Sequence, residues 1–273
     1  MLRVDQLAYY PVKGCAGTSV RTAEVTATGL ARDRAFMVVD EHGMCRTQRR
    51  FPALATVRPV LEQDRLTLSA PGVEDLRLDV VFEGPRSVAA VFAWEGKGID
   101  QGAVAADWLS TVLGGPSRLL RVPPDHQRAT DGIVPGTAGF ADSSAILVTT
   151  PSSLDGLNER IAEQGGEPVP MNRFRPNIVL GGWTEPHTED RVRRLTVGEL
   201  EFGYTKMCVR CAVPTVDQDT GTRLGPEPIR TLARYRRAPE GGVTFGIKMA
   251  VLRTGRVTVG DEAVVQEWAH TTA

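Results

Sequence analysis

Lysine is nearly missing from this 273-residue chain. Of 32 basic residues only four are lysine: Lys13, Lys97, Lys206 and Lys248. The arginine excess reads as coding bias, yet a lysine kept among so many arginines marks any motif that contains it. Net charge is missing too. A formal charge of −1 gives no electrostatic basis for bulk nucleic-acid binding, and no nucleic-acid partner is expected. No run approaches the ~18 apolar residues of a membrane span, and Met1 to Asp5 has no charged-then-apolar signal pattern. No membrane partner is expected. Four cysteines are too few for a disulfide framework and fit a reducing compartment, so the expected location is cytoplasmic. The chain has no G-x-S-x-G, P-loop, G-x-G-x-x-G or H-E-x-x-H. This weakens hydrolase, nucleotide-binding and zinc-enzyme readings. His42, His126, His187 and His270 stand singly and read as surface or loop residues.

What is there is a soluble globular composition, 41% hydrophobic and 24% charged, long enough for one large domain or two ordinary ones. Strands are expected at 2–9, 20–28, 35–40 and 44–48. A hairpin is expected around Gln63-Asp64, with further strands at 76–82 and 87–94. Short strands at roughly ten-residue spacing argue for a barrel or curled sheet. Helical period begins at about 103–113, with Asp100 able to cap and Gly114-Gly115 to terminate. Residues 123–140 have little periodicity and read as a long loop, a possible frame for a substrate entrance. A strand over 145–149 precedes a helix capped by Ser152 or Ser153, ended by Gly165-Gly166. Later strands fall at 178–180, 195–202, 243–252 and 256–259, with a helix over Glu227 to Arg236. The fold class is α+β and β-rich, with a lobe boundary within 114–140.

Cys208-Val209-Arg210-Cys211 has C-x-x-C spacing without the second pair of a zinc ribbon. Pro214 and the β-branched residues around it oppose the helix of a thioredoxin-type site. Two readings stay open: a pair of buried cysteines near a strand end, or a thiolate favoured by Arg210. Asp217-Gln218-Asp219-Thr220-Gly221 lacks the third acidic position and the correctly placed Glu of an EF-hand and reads as a polar hairpin turn. Asp142-Ser143-Ser144 offers hydroxyls and backbone N–H groups ahead of a strand. Arg175-Pro176-Asn177 places a guanidinium and an amide on one side if extended, suited to phosphate or carboxylate. Arg32-Asp33-Arg34 could act likewise or form a local ion pair.

These blocks, with Tyr10-Pro11-Val12-Lys13-Gly14, Gly29 to Arg34, Phe140 to Ser144, Phe174 to Ile178 and Cys208 to Gly221, resemble the MOSC family with its N-terminal β-barrel partner domain. Within it the chain looks most like the amidoxime-reducing component and its bacterial relatives. The resemblance implies an N-terminal β-barrel-like domain over 1–120 and a MOSC β-barrel domain with a few helices over 121–273, the cofactor site at their junction. It implies a molybdenum–molybdopterin (pyranopterin) cofactor, and no pyridoxal phosphate. Cys211 would be the thiolate on molybdenum and the catalytic residue; Cys208 would not. Lys13, Arg34 and Arg175 would hold the anionic phosphate and pterin. Gly14, Asp142, Ser143, Ser144, Asn177 and the chain around Val209 and Arg210 would complete the cofactor site. Gly14 stands where relatives often carry serine, so a backbone contact is expected in place of a side-chain one.

The resemblance further implies reduction of small N-hydroxylated substrates, with electrons from an external heme, flavin or iron–sulfur protein. No iron–sulfur domain follows Asp261 in this sequence. The alternative is a sulfur or molybdenum-cofactor carrier that uses Cys211.

Overall fold

Strand formation follows the sequence where one face is apolar and fails where tertiary pairing decides. The computed structural model describes residues 1–269; His270 lies outside them. The largest sheet has eight strands, in the order Ala263–Trp268, Val192–Val197, Leu200–Arg210, Val243–Arg253, Ile146–Thr149, Ile178–Gly181, Arg3–Tyr9 and Thr18–Val20. One pairing in it is parallel, between Ile146–Thr149 and Ile178–Gly181. The helix Pro151–Ala162 makes the crossover that a parallel pair requires. Phe202, Leu195, Leu200, Ile247 and Met249 fill the core on its inner face.

A second sheet orders Arg86–Val91, Trp94–Asp100, Arg118–Arg121, Phe36–Val39 and Val12–Lys13. Phe36–Val39 is buried at all four positions, as its unbroken apolar run requires. Two three-stranded sheets and one two-stranded sheet, Ala129–Thr130 with Gly136–Thr137, complete the fold among the described residues.

The architecture is α+β and sheet-rich. Among the described residues no sheet pairs into a closed barrel. The large sheet instead rolls until its ends meet through single bonds. Val4 N–H donates to Asp261 O (2.9 Å), Gly260 N–H to Val4 O (2.8 Å) and Ala263 N–H to Leu2 O (2.9 Å). Three bonds close what a full strand pair would close in a barrel.

Several expectations are corrected. Residues 44–48 form no strand; only bridges at Met44 and Cys45 remain, because Arg46 and Gln48 turn into the molecule. The strand Trp94–Asp100 was not foreseen. Asp100 does not cap the helix Ala103–Leu113; its carboxylate accepts from Gly102 N–H and pairs with Arg118. Gly114 does end that helix, in left-handed conformation. The second helix is capped by Thr150, which accepts from Ser153 N–H, with Pro151 in its first turn. The last helix is shorter than expected, Ile229–Tyr235. His126 and His187 lie in loops, as expected, but are half-buried: His126 packs edge-on against Trp94 and Phe140, and both ring nitrogens of His187 are buried.

Near that second helix sits a buried carboxyl. Glu189 is 0% exposed and accepts from Ser153 (2.8 Å) and Thr150 (3.1 Å). Burial, then the neighbouring Asp190, push its pKa up to about 7. A carboxyl raised this way binds more protons folded than unfolded. Stability is therefore full below the unfolded value, near 4.5, and falls as pH rises toward about 7. Glu189→Gln should flatten that fall, giving a melting temperature several degrees above the parent's at pH 8 and little different at pH 4. Thermal melts across that range test this.

Candidate functional site

The structure gathers all the site residues expected from the sequence into one cleft: Lys13, Gly14, Arg34, Asp142, Ser143, Ser144, Arg175, Asn177, Val209, Arg210 and Cys211. The cleft is lined by Lys13 of the strand Val12–Lys13 in the five-stranded sheet, by the C-terminal end of Leu200–Arg210 and by Lys248 in the middle of Val243–Arg253. Eight cationic side chains line it: Lys13, Arg34, Arg46, Arg49, Arg173, Arg175, Arg210 and Lys248. One acid, Asp142, opposes them. Such an excess in a partly desolvated cleft selects an anion.

Tyr10 does not line the cleft, but its buried ring carries two of the arginines that do. The Arg34 guanidinium lies 4.3 Å and the Arg175 guanidinium 4.2 Å from its ring centroid. Both arginines have left-handed backbones, φ 46° and 56°, which non-glycine residues seldom adopt. Arg175 is thus not extended, and it does not share a strand face with Asn177. Arg34 pairs with buried Asp33 at 2.5 Å, so Arg32-Asp33-Arg34 contains the local ion pair considered above. Arg175 donates to Cys15 O (2.6 Å) and Gln218 Oε1 (3.0 Å). Gln218 and Gln48 exchange amide hydrogen bonds at 3.0 Å, and Gln48 also donates to Gly14 O (2.6 Å). Gly14 has φ 84°, so a serine there would be strained; the backbone carbonyl is the contact it makes.

Asn177 is 2% exposed and its amide is engaged inside. Its Oδ1 accepts from Arg34 (3.1 Å) and Leu147 N–H (3.2 Å), and its Nδ2 donates to Ala8 O (3.2 Å). It positions Arg34. Asp142 accepts from Lys13, and Lys248 donates to Ser143. The Asp142 side chain is 55% exposed; crowding by nearby protein atoms acts to raise its carboxyl, but Lys13, Lys248 and Arg34 together hold it well below the carboxylate range. Two of the four lysines thus serve this block. Residues 123–140 do not line the cleft, contrary to the expected entrance. Their contribution is Arg128, which donates to the carbonyls of Gly139 (3.1 Å), Ala141 (2.5 Å) and Asp142 (2.8 Å) and shapes the turn carrying Asp142.

Cys208 and Cys211 are both free thiols; Cys208 is buried and Cys211 half-buried. They lie on a strand end and the turn after it; no α-helix opens at the pair, only the short 3-10 turn Val213–Thr215. Arg210 donates to Phe245 O (3.0 and 2.8 Å) and Phe174 O (3.0 Å), which fixes the strand end. Beyond it, Arg173 donates to Pro214 O (3.2 Å) and pairs with Asp217 (3.0 Å). Asp217 also accepts from the N–H groups of Asp219 (3.1 Å) and Thr220 (2.9 Å), making the polar turn foreseen for Asp217–Gly221. Arg46, Thr47, Gln48, Arg49, Phe92, Arg173 and Lys248 line the cleft without having been foreseen. Lys248 alone had a signal, as a rare lysine inside an apolar strand.

Among the described residues no group of three or more His, Cys, Asp or Glu could hold a metal ion. A metal here would draw one thiolate, or at most two, from the chain and its other ligands from an organic cofactor. Many cations, a half-buried thiol and few acids fit a dithiolene cofactor ending in a phosphate, since soft sulfur suits such a metal and arginine suits the phosphate.

These features define a sheet-rich protein with a cationic, single-acid cleft that presents a thiol. Models for the MOSC N-terminal beta barrel domain and the MOSC domain match residues 1–116 and 135–264. The chain belongs to the MOSC family. It is 35% identical to mitochondrial amidoxime-reducing component 1 of Mus musculus, over 94% of this chain and 80% of that one. It is 34% identical to mitochondrial amidoxime reducing component 2 of Bos taurus, over 94% and 81%. A molybdenum cofactor sulfurase of Anopheles gambiae is 33% identical over 91% of this chain, which spans only 34% of that longer protein. No helix among the described residues is long and apolar enough to cross a membrane.

Proposed function

We propose that the chain is a molybdenum-cofactor-dependent oxidoreductase that reduces N-hydroxylated substrates with electrons from a separate redox protein. The carrying observation is the cleft itself, eight cations against one acid with Cys211 on its wall. Lys13, Arg34 and Arg175 would bind the anionic end of the cofactor. Arg46, Arg49 and Lys248 would add to that field. Ser143, Ser144 and backbone near Val209 and Arg210 would take its polar edges. Asn177, Gln48 and Gln218 would hold the arginines in place. Cys211 would supply the chain's thiolate to the metal. When bound, such a cofactor supplies a two-electron redox centre. The overall reaction takes two electrons and two protons, breaks the N–O bond, forms N–H and releases water. The names of the 33–35% identical relatives support this reading.

The sulfurase relative favours a second reading, in which Cys211 carries sulfur or the domain delivers cofactor. Metal analysis of purified protein separates the two, together with oxidation of any pterin to its fluorescent product. Stoichiometric molybdenum and pterin are expected. A labile sulfane sulfur without metal would sink the reductase reading in favour of the carrier.

A further inference from the structure

The cleft has a part its cations do not explain. Phe92 and Val209 are the large apolar side chains of the lining that stand exposed, 59% and 39%. Phe92 lies in the two-residue turn closed by the pair Val91 and Trp94. Its φ is 53°, a left-handed conformation for which turn chemistry favours glycine or asparagine. Neither burial nor turn preference accounts for an aromatic there, and strained residues of this kind collect at ligand sites. The Arg49 guanidinium lies 5.2 Å from its ring centroid, a cation–π contact that steadies the ring. Val209, two residues from Cys211, lines the same cleft. Gly242, φ 82°, backs it so closely that a Cβ there would come within 2.6 Å of Val209 Cγ1.

We propose that Phe92 and Val209 form an apolar slot that takes the planar, apolar body of the substrate, so that aryl-substituted N-hydroxylated compounds are preferred over small polar ones. This rests on the reductase reading for the chemistry, but the slot itself is a binding statement. An aromatic body stacked on Phe92 gains both apolar burial and ring–ring contact. Hydroxylamine, with no such body, gains neither.

The test uses cofactor-loaded protein with a reduced viologen dye as electron source, so that docking of a protein donor plays no part. Phe92→Ala should lower the ratio of kcat/KM for an aryl amidoxime over that for hydroxylamine about tenfold, with the change mainly in KM. Phe92→Tyr should restore most of it. Val88→Ala, on the same hairpin but outside the cleft, is the control and should change nothing. Calorimetric binding of the aryl amidoxime to the oxidised protein should weaken about tenfold in Phe92→Ala. Unchanged binding, or equal losses for both substrates, would overturn the slot. Protein that binds the aryl amidoxime through Phe92 yet never reduces it would leave the slot standing and remove the reductase reading.

Discussion

Cys211→Ala is expected to lose at least about a thousandfold in reductase turnover, ~4 kcal/mol of barrier, while keeping its pterin. The phosphate and pterin would be held by side chains elsewhere in the cleft: Lys13 reaches it from the strand Val12–Lys13, and Arg34 and Arg175 from two turns. Loading and chemistry should therefore separate. Cys208→Ala should keep most activity, because Cys208 is buried and behaves as a small apolar core residue. The measurements are turnover with an N-hydroxylated substrate and fluorescent pterin after oxidation, on the same preparations. Full turnover in a loaded Cys211→Ala protein would exclude the proposed ligand.

Arg175→Ala should fail earlier, at loading. Its guanidinium makes two hydrogen bonds, to Cys15 O and Gln218 Oε1, and stacks on one face of Tyr10 while Arg34 stacks on the same ring. Removing it leaves a buried carbonyl and a glutamine amide short of a donor, at a cost of ~3 kcal/mol. It also removes a cation from the lining of the cleft. We expect pterin content to fall more than about tenfold and thermal stability to drop measurably. Arg175→Lys should rescue little, since an ammonium has neither the planar fork nor the stacking face. Wild-type pterin content in Arg175→Lys would show that charge alone suffices.

The site was legible because its parts are short linear blocks. Lys13-Gly14, Asp142 to Ser144, Arg175 to Asn177 and Cys208 to Cys211 each keep their chemistry within three or four neighbours. What escaped depends on distant pairing. Gln48 and Arg46 were assigned to a return strand, but they are buried because Gln48 finds Gln218 170 positions away and Arg46 finds Pro116 O. Phe92 looked like one residue of an expected strand, and only the register of Arg86–Val91 on Trp94–Asp100 puts it in the turn. The cap of the second helix was closer to reach, since Pro151 marks the first turn and makes Thr150 the residue before it. The alternation of strands and a curled sheet were visible, but the partners that close the roll were not, because they rest on single bonds between chain segments far apart.

That closure sets an order of events during synthesis. Leu2 and Val4 find their partners at Gly260, Asp261 and Ala263, and Arg3–Tyr9 pairs with Ile178–Gly181. The first strand made must therefore wait for nearly the last, and loop closure over such a separation slows folding. Lys13 and Arg34 emerge early, Arg175 midway, and Cys211 and Lys248 late. The full cationic cleft does not exist on the nascent chain, so the proposed cofactor would meet all its partners only after translation has passed Lys248. A ribosome-bound chain halted before that point already holds the partners of Arg3–Tyr9 at Thr18–Val20 and Ile178–Gly181, but Leu2 and Val4 still lack theirs at Gly260, Asp261 and Ala263, which leaves backbone donors and acceptors open to a chaperone.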